Sequence, residues 1–241
     1  MPLTILLALL AAAAQPANFA VDEATPLLEF RYGWPAAADA IAPLRARLAG
    51  AMARARARAT GYARIDRTDA AENGRPFEAH WYDAGWRIDG SGPVLLSLSA
   101  EISTFTGGVH GNTDFEAILW DRAAGRGVAA ARLLGGNAIR AMAPRFCAAL
   151  DAMRAERRAG EAFAAMLGDP FTACPALAGQ VMAPADGDGN GRFEALHVLL
   201  PPYAAGPFAE GDYRVALRFE PADLAAIPGR YRPAFEVAGE R

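Results

Sequence analysis

A histidine set among glycines is the most reactive-looking feature of this sequence. His110 stands in Ser103 to Thr113, S-T-F-T-G-G-V-H-G-N-T. A neutral imidazole can trade a proton near neutral pH or ligate a metal. A base needs a carboxylate partner, and Glu101, Asp114 and Glu116 are the nearest in sequence. Glu101 and Glu116 flank the stretch on its two sides, as a paired acid and base would. They equally fit the outward positions of an exposed sheet face. The three histidines, His80, His110 and His197, could converge on zinc. No cysteine, carboxylate or histidine stands at ligand spacing beside His110, however. The plainer reading is that His110 hydrogen-bonds backbone and holds the loop in shape.

Asp186 to Gly191, D-G-D-G-N-G, matches the start of a calcium loop, with Glu194 at the ninth position. The twelfth position is His197 where a bidentate glutamate is needed, and no helical pattern flanks the loop. A β-turn between strands explains the same glycines. No G-x-S-x-G elbow and no G-x-x-x-x-G-K phosphate loop occur. Ser97, Ser99 and Ser103 read as the polar face of a strand. No cofactor is expected.

The elements that must position these residues are legible from periodicity. Leu27 to Tyr32 alternates as a strand. Asp39 can cap a helix with Pro43 in its first turn, and Ile41, Leu44, Leu48 and Met52 follow at helical spacing. Arg45, Arg47, Arg54, Arg56 and Arg58 form its solvated side, and Gly61 reads as its stop. Short strands follow at Tyr62 to Arg67, Phe77 to Tyr82, Trp86 to Asp89 and Val94 to Phe105, with turn dipeptides at Asn73-Gly74 and Asp89-Gly90. In Val94 to Phe105, Leu96, Leu98, Ala100 and Ile102 share one face and Ser97, Ser99, Glu101 and Ser103 the other. That is a half-buried antiparallel strand. Phe115, Ala117 and Leu119 continue the alternation beyond a glycine-rich tip.

The character changes near Val128. Leu133 to Arg157 reads as a long helix with Ile139, Met142, Phe146, Leu150 and Met153 on one face, and Glu161 to Leu167 as a shorter one. Phe193 to Leu200 and Tyr213 to Phe219 read as strands. Pro221 opens a short helix, and the tail from Tyr231 is strand or coil. The fold class is α+β: an antiparallel sheet with packed helices, in two consecutive α+β units spanning 24–130 and 131–238.

Composition sets the compartment. The formal net charge is -3 and all the positive charge is arginine, which gives no reason to expect nucleic acid. Residues 1–14, M-P-L-T-I-L-L-A-L-L-A-A-A-A, form an apolar run ending in small residues and read as a signal peptide. The run is shorter than the roughly 20 residues a membrane span needs. The expected location is therefore periplasmic or secreted, with no membrane span after cleavage. In an oxidising space Cys147 and Cys174 read as one disulfide; two buried thiols are the alternative.

T-F-T-G-G-V-H-G-N-T resembles the tyrosine-or-phenylalanine-T-G-G-A-H-G motif of a bacterial extracytoplasmic family. Its domains occur beside the catalytic domain of the peptidoglycan deacetylase PdaC and as the extracellular part of the lysozyme-sensing anti-sigma factor RsiV. Phe193 to Pro207, F-E-A-L-H-V-L-L-P-P-Y-A-A-G-P, is similar to the strand and P-Y-rich segment of the same family, shortened here to one P-Y. The resemblance implies a PdaC-like first unit and an RsiV-like second. It implies a non-enzymatic binding or sensing module of the cell envelope, with a lysozyme-like protein or a peptidoglycan fragment as partner. Contact is expected at Gly107, Gly108, His110, Gly111 and Asn112, together with Pro202, Tyr203 and Gly206. The alternative is an envelope-glycan hydrolase or deacetylase using His110 with a nearby carboxylate. No deacetylase domain and no sigma-binding segment are present in the sequence, so neither of those activities transfers.

Overall fold

The structure, a computed structural model, describes residues 17–158, 171–237 and 239. The expected signal run and the expected helix at Glu161 to Leu167 lie outside these residues. The fold is α+β, in four layers. A six-stranded sheet holds β1 (Ala17–Ala24), β2 (Leu28–Pro35), β3 (His80–Ser91), β4 (Leu95–Phe105), β5 (Asn112–Asp121) and β6 (Arg126–Val128), in that order. The helices α1 (Ala36–Asp39) and α2 (Ala42–Glu72) lie between β2 and β3 in the chain. The second sheet is β7 (Val181–Ala185), β8 (Ala195–Leu200) and β9 (Tyr213–Arg218). It is accompanied by α3 (Ala130–Leu134), α4 (Gly136–Arg157) and α5 (Pro221–Leu224).

The antiparallel expectation holds for every pair but one. β2 and β3 run parallel, with Leu28 beside His80 and Gly33 beside Gly85. Parallel neighbours need a crossover, and α2 supplies it. This corrects the reading of Tyr62 to Arg67 as a strand and of Gly61 as a helix stop, since α2 runs on to Glu72. A mid-helix glycine costs only about 1 kcal/mol against alanine, and the run before it is built largely of alanine and arginine, both good helix formers, so the helix carries past it. Asp39 is not the cap either. Ile41 holds that position without a side-chain bond, and Asp39 Oδ1 accepts Trp34 Nε1–H at 3.0 Å. β3, His80–Ser91, is likewise one strand where alternation predicts two, Phe77 to Tyr82 and Trp86 to Asp89, with a turn at Asp89-Gly90. That dipeptide sits at a register shift within β3, where a Cβ on Gly90 would fall 2.6 Å from the Phe193 ring.

Two cores follow. Phe30, Tyr32, Trp34, Trp86, Leu96, Leu98 and Trp120 pack on Leu44 and Leu48 of α2. Ile139, Met142, Phe146 and Leu150 of α4 pack on Leu196, Val198, Val215 and Leu217. Each aliphatic chain so buried stabilises by about 2 kcal/mol. The second sheet covers the opposite face of the first, so β4 is buried on both sides. Ser97 and Ser99 are fully buried, with hydroxyls that lack a partner among the described residues. Cys147 and Cys174 form a disulfide that fastens the segment after α4 to its middle.

Candidate functional site

The β4–β5 register runs straight to the tip, Thr104 facing Asn112. Between them Gly107 and Gly108 take φ of +88° and +99°, a region that L side chains resist. Gly111 serves differently. A Cβ there would lie 2.8 Å from both Thr104 O and the Trp81 ring, so only glycine lets the returning chain pass. Val109 projects at the tip, almost fully exposed. His110 Nδ1 is 2.7 Å from Gly111 O, so Nδ1 carries the proton and donates it to that carbonyl.

The tip rests on α2. Asp66 Oδ1 receives Arg75 at 2.6 Å and Asp66 Oδ2 is 3.1 Å from His80 Nε2, with Gly107 directly above. The hydrogen bonds from Arg75 and then His80 hold the Asp66 carboxyl below its ordinary 3.8. His80 itself is buried, and its Nδ1 has no partner among the described residues.

The other end of the site comes from the second sheet. The loop after β8 runs through Pro202 and Tyr203 to Gly206 and enters a 3-10 turn, Phe208–Glu210. The His110 ring stacks on Phe208 with centroids 3.7 Å apart, and Tyr203 tilts against the same ring at 5.8 Å. Phe208 thus joins the two sequence motifs into one surface. Tyr203 is half exposed. It is also the one non-glycine residue with positive φ among those described, at 69°. Its amide N–H reaches Gly206 O at 3.1 Å and closes the turn.

Cations at the C-terminal end of α4 fasten this loop. Arg154 Nε donates to Ala205 O at 2.8 Å, and Arg157 donates to Glu210 O. Arg158 binds both Glu210 oxygens, at 2.7 and 3.1 Å, and the Tyr213 hydroxyl donates to the same carboxylate. Burial pushes the Glu210 carboxyl up, but Arg158 and Tyr213 together hold it below its ordinary 4.5. Gly206 is buried against this carboxylate, and a Cβ there would overlap it. Its part is packing. Pro202 is half-buried, and Gly108 and Asn112 are exposed.

The proposed acid–base pairs do not form. Glu101 faces Phe115 in the ladder and Glu116 faces Ala100, so adjacent-strand alternation puts the two carboxylates on opposite faces of the sheet. Glu101 is bound to Arg214 at 2.7 Å. Asp114 Oδ1 accepts the Phe115 amide. Among the described residues, His110 pairs with no carboxylate. The three histidines do not converge either: His80 meets Asp66, His197 lies 3.6 Å from Asp89, and His110 meets Gly111 O. Asp186, Asp188 and Glu194 do come within 4.8 Å of one another. Their oxygens accept the backbone N–H groups of Gly187, Gly189, Asn190 and Gly191, which accounts for the loop as a turn.

Sequence reasoning missed Phe208 and its anchors. A signal existed: Phe208 follows the P-Y-A-A-G-P segment at once, and Arg154, Arg157 and Arg158 crowd the last turn of a helix.

The fold is similar to that of a solved member of the DUF3298 family. That protein, from Bacteroides fragilis, superposes at a TM-score of 0.55 with 13% identity, over 90% of this chain and 94% of that one. A DUF3298 family protein from Pseudomonas aeruginosa aligns at a TM-score of 0.44 with 16% identity over 68% of each chain. The first of these likenesses establishes the fold. No family model matches the chain, and no curated protein does.

Proposed function

We propose that this chain is a non-enzymatic binding or sensing module of the bacterial cell envelope, exported through residues 1–14 and acting through the hairpin tip. One observation carries the reading. The exposed large hydrophobic residues among those described are Tyr62, Ile65, Val109 and Tyr203. Val109 is the tip, and Tyr203 packs on Phe208 beneath His110. Ile65 precedes Asp66, whose carboxylate lies 3.3 Å from where a Cβ on Gly107 would stand, and Tyr62 is one helical turn before Ile65. Exposed apolar side chains at the tip and on the loop stacked against it fit an interaction site. Tyr203 adds a rigid aromatic anchor with little entropy to lose on contact.

The sequence resemblance to the extracytoplasmic family of PdaC and RsiV supplies the partner. It is a lysozyme-like protein or the peptidoglycan fragment on which such a protein acts. Nothing at the tip favours hydrolysis, because His110 gives one nitrogen to a backbone carbonyl and has no carboxylate partner. Among the described residues no helix is long and apolar enough to cross a membrane. Titration with lysozyme and, separately, with a disaccharide muropeptide tests the reading. Saturable binding of one of them, lost in Tyr203→Ala with Phe208→Ala, is expected. Absence of binding to both at about 0.5 mM overturns it.

A further inference from the structure

We propose that the cavity between α2 and β5 binds an oligoanionic ligand, one with two or more carboxylate or phosphate groups. The cavity holds about 670 Å³. Its upper wall is one stripe of α2, where Arg47, Arg54 and Arg58 stand at i, i+7 and i+11 and so share a face. Its floor includes Tyr82 and Trp86.

Solvated arginines on a helix are ordinary, but these three differ from their neighbours. Arg45 lies 3.9 Å from Asp39, and Arg56 is paired with Glu23 at 2.8 Å while covering the Phe30 ring. Arg47, Arg54 and Arg58 have no acidic partner and no hydrogen bond among the described residues. The helix therefore neutralises Arg45 and Arg56 and leaves Arg47, Arg54 and Arg58 open over the cavity; Arg64 and Arg67, also without an acidic partner among the described residues, line a separate groove that Glu23 shares. Glu116 is the one acidic group in the wall, so the lining carries a surplus of positive charge. A concave site with low-dielectric aromatic walls concentrates such a field far more than a flat surface does. Guanidinium groups also present paired donors that match carboxylate and phosphate oxygens.

Geometry limits the ligand. With a rise of 1.5 Å per residue, Arg47 and Arg54 are spaced by about 10 Å along the axis, and Arg54 and Arg58 by about 6 Å. A monovalent ion engages one of them, and a ligand with separated acidic groups engages two or three. Burial pushes the Tyr82 hydroxyl up to about 12, so it remains a donor for the ligand at any physiological pH. Glu116 is placed to take an ammonium or hydroxyl group of the same molecule. β6 pairs only with Leu119–Asp121, so the ladder leaves the edge of β5 at Glu116 to Ile118 open beside the cavity.

The test is calorimetric titration of the full chain with pyrophosphate and with triglutamate, in about 0.15 M salt so that unspecific attraction is screened. Saturable binding of at least one probe is expected, weakened ten-fold or more in Arg54→Ala/Arg58→Ala. The same charge removed by Arg132→Ala/Arg140→Ala, on exposed positions of α3 and α4, leaves it within two-fold. The probe that binds distinguishes phosphate from carboxylate recognition. Absence of heat with both probes at about 10 mM, or equal weakening by both double variants, overturns the proposal. All four arginines are exposed, so neither variant puts folding at risk.

Discussion

The glycines of the tip are not interchangeable. Gly108 has open space around it but φ of +99°, so alanine there meets only backbone strain, on the order of 1 kcal/mol. Gly111 has two neighbours at 2.8 Å, one of them a backbone carbonyl that cannot swing away. Gly111→Ala is expected to cost about 2–3 kcal/mol, the larger loss of the two in a denaturant titration. Tyr203 inverts the usual logic of a tyrosine. It is half exposed and sits at φ 69°, so its backbone conformation is the kind retained at contact sites. Tyr203→Gly should leave stability unchanged or raise it by up to about 1 kcal/mol, while removing partner binding. A loss of more than about 1 kcal/mol on melting would show that Tyr203 is a structural anchor instead. At this scale the sequence was informative about the glycines and His110, because special backbone conformation selects residue type. Phe208 was not legible. One phenylalanine in a loop carries no period, and its meaning comes from a ring contact that spans 98 residues of chain.

At the scale of elements, patterning found the cores and misjudged several boundaries and the buried face of β4. Gly61 read as a stop because glycine is a poor helix former. Helix length depends on propensity summed over many residues, and the alanines prevail. Ser97 and Ser99 read as solvent-facing because alternation reports one covered face. A second sheet packed on the other is invisible to it. The loop that carries Tyr203 and Phe208 depends on the last turn of α4, and Glu210 is its fastening. Glu210→Gln should cost about 2 kcal/mol, because it weakens two charge-assisted bonds to Arg158. The pH dependence has a definite sign. The folded Glu210 carboxyl lies below 4.5 and that of Asp66 below 3.8, so both contributions are complete above those values. They are lost as the pH falls through the depressed folded values. Wild-type stability should therefore drop on acidification below about pH 4.5, and the drop should be shallower in Glu210→Gln. The disulfide closes a separation of 27 residues, which in a chain-entropy account is worth about 3.5 kcal/mol. Reductant should lower the melting temperature accordingly, and unchanged melting would contradict that contribution.

For the whole molecule, the central consequence is that the candidate site is made by two sheets and belongs to neither. The first provides the tip and the second provides Phe208 and Tyr203. Several contacts fix the two together. The Tyr231 hydroxyl donates to Asp121 Oδ2 at 2.7 Å, and the Asp186 amide donates to Asp89 O at 2.8 Å. The Phe193 ring occupies the space that Gly90 leaves. The α+β class was legible from alternation and helical spacing. The juxtaposition was not, because periodicity describes one element at a time. The measurement that tests the account most directly is backbone amide chemical-shift mapping of the full chain during titration with lysozyme, repeated with a muropeptide. Perturbations should cluster at Val109, His110, Tyr203 and Phe208 together, drawn from both motifs and saturating with one binding constant. Perturbations confined to one motif, or spread over residues away from the tip, would contradict it.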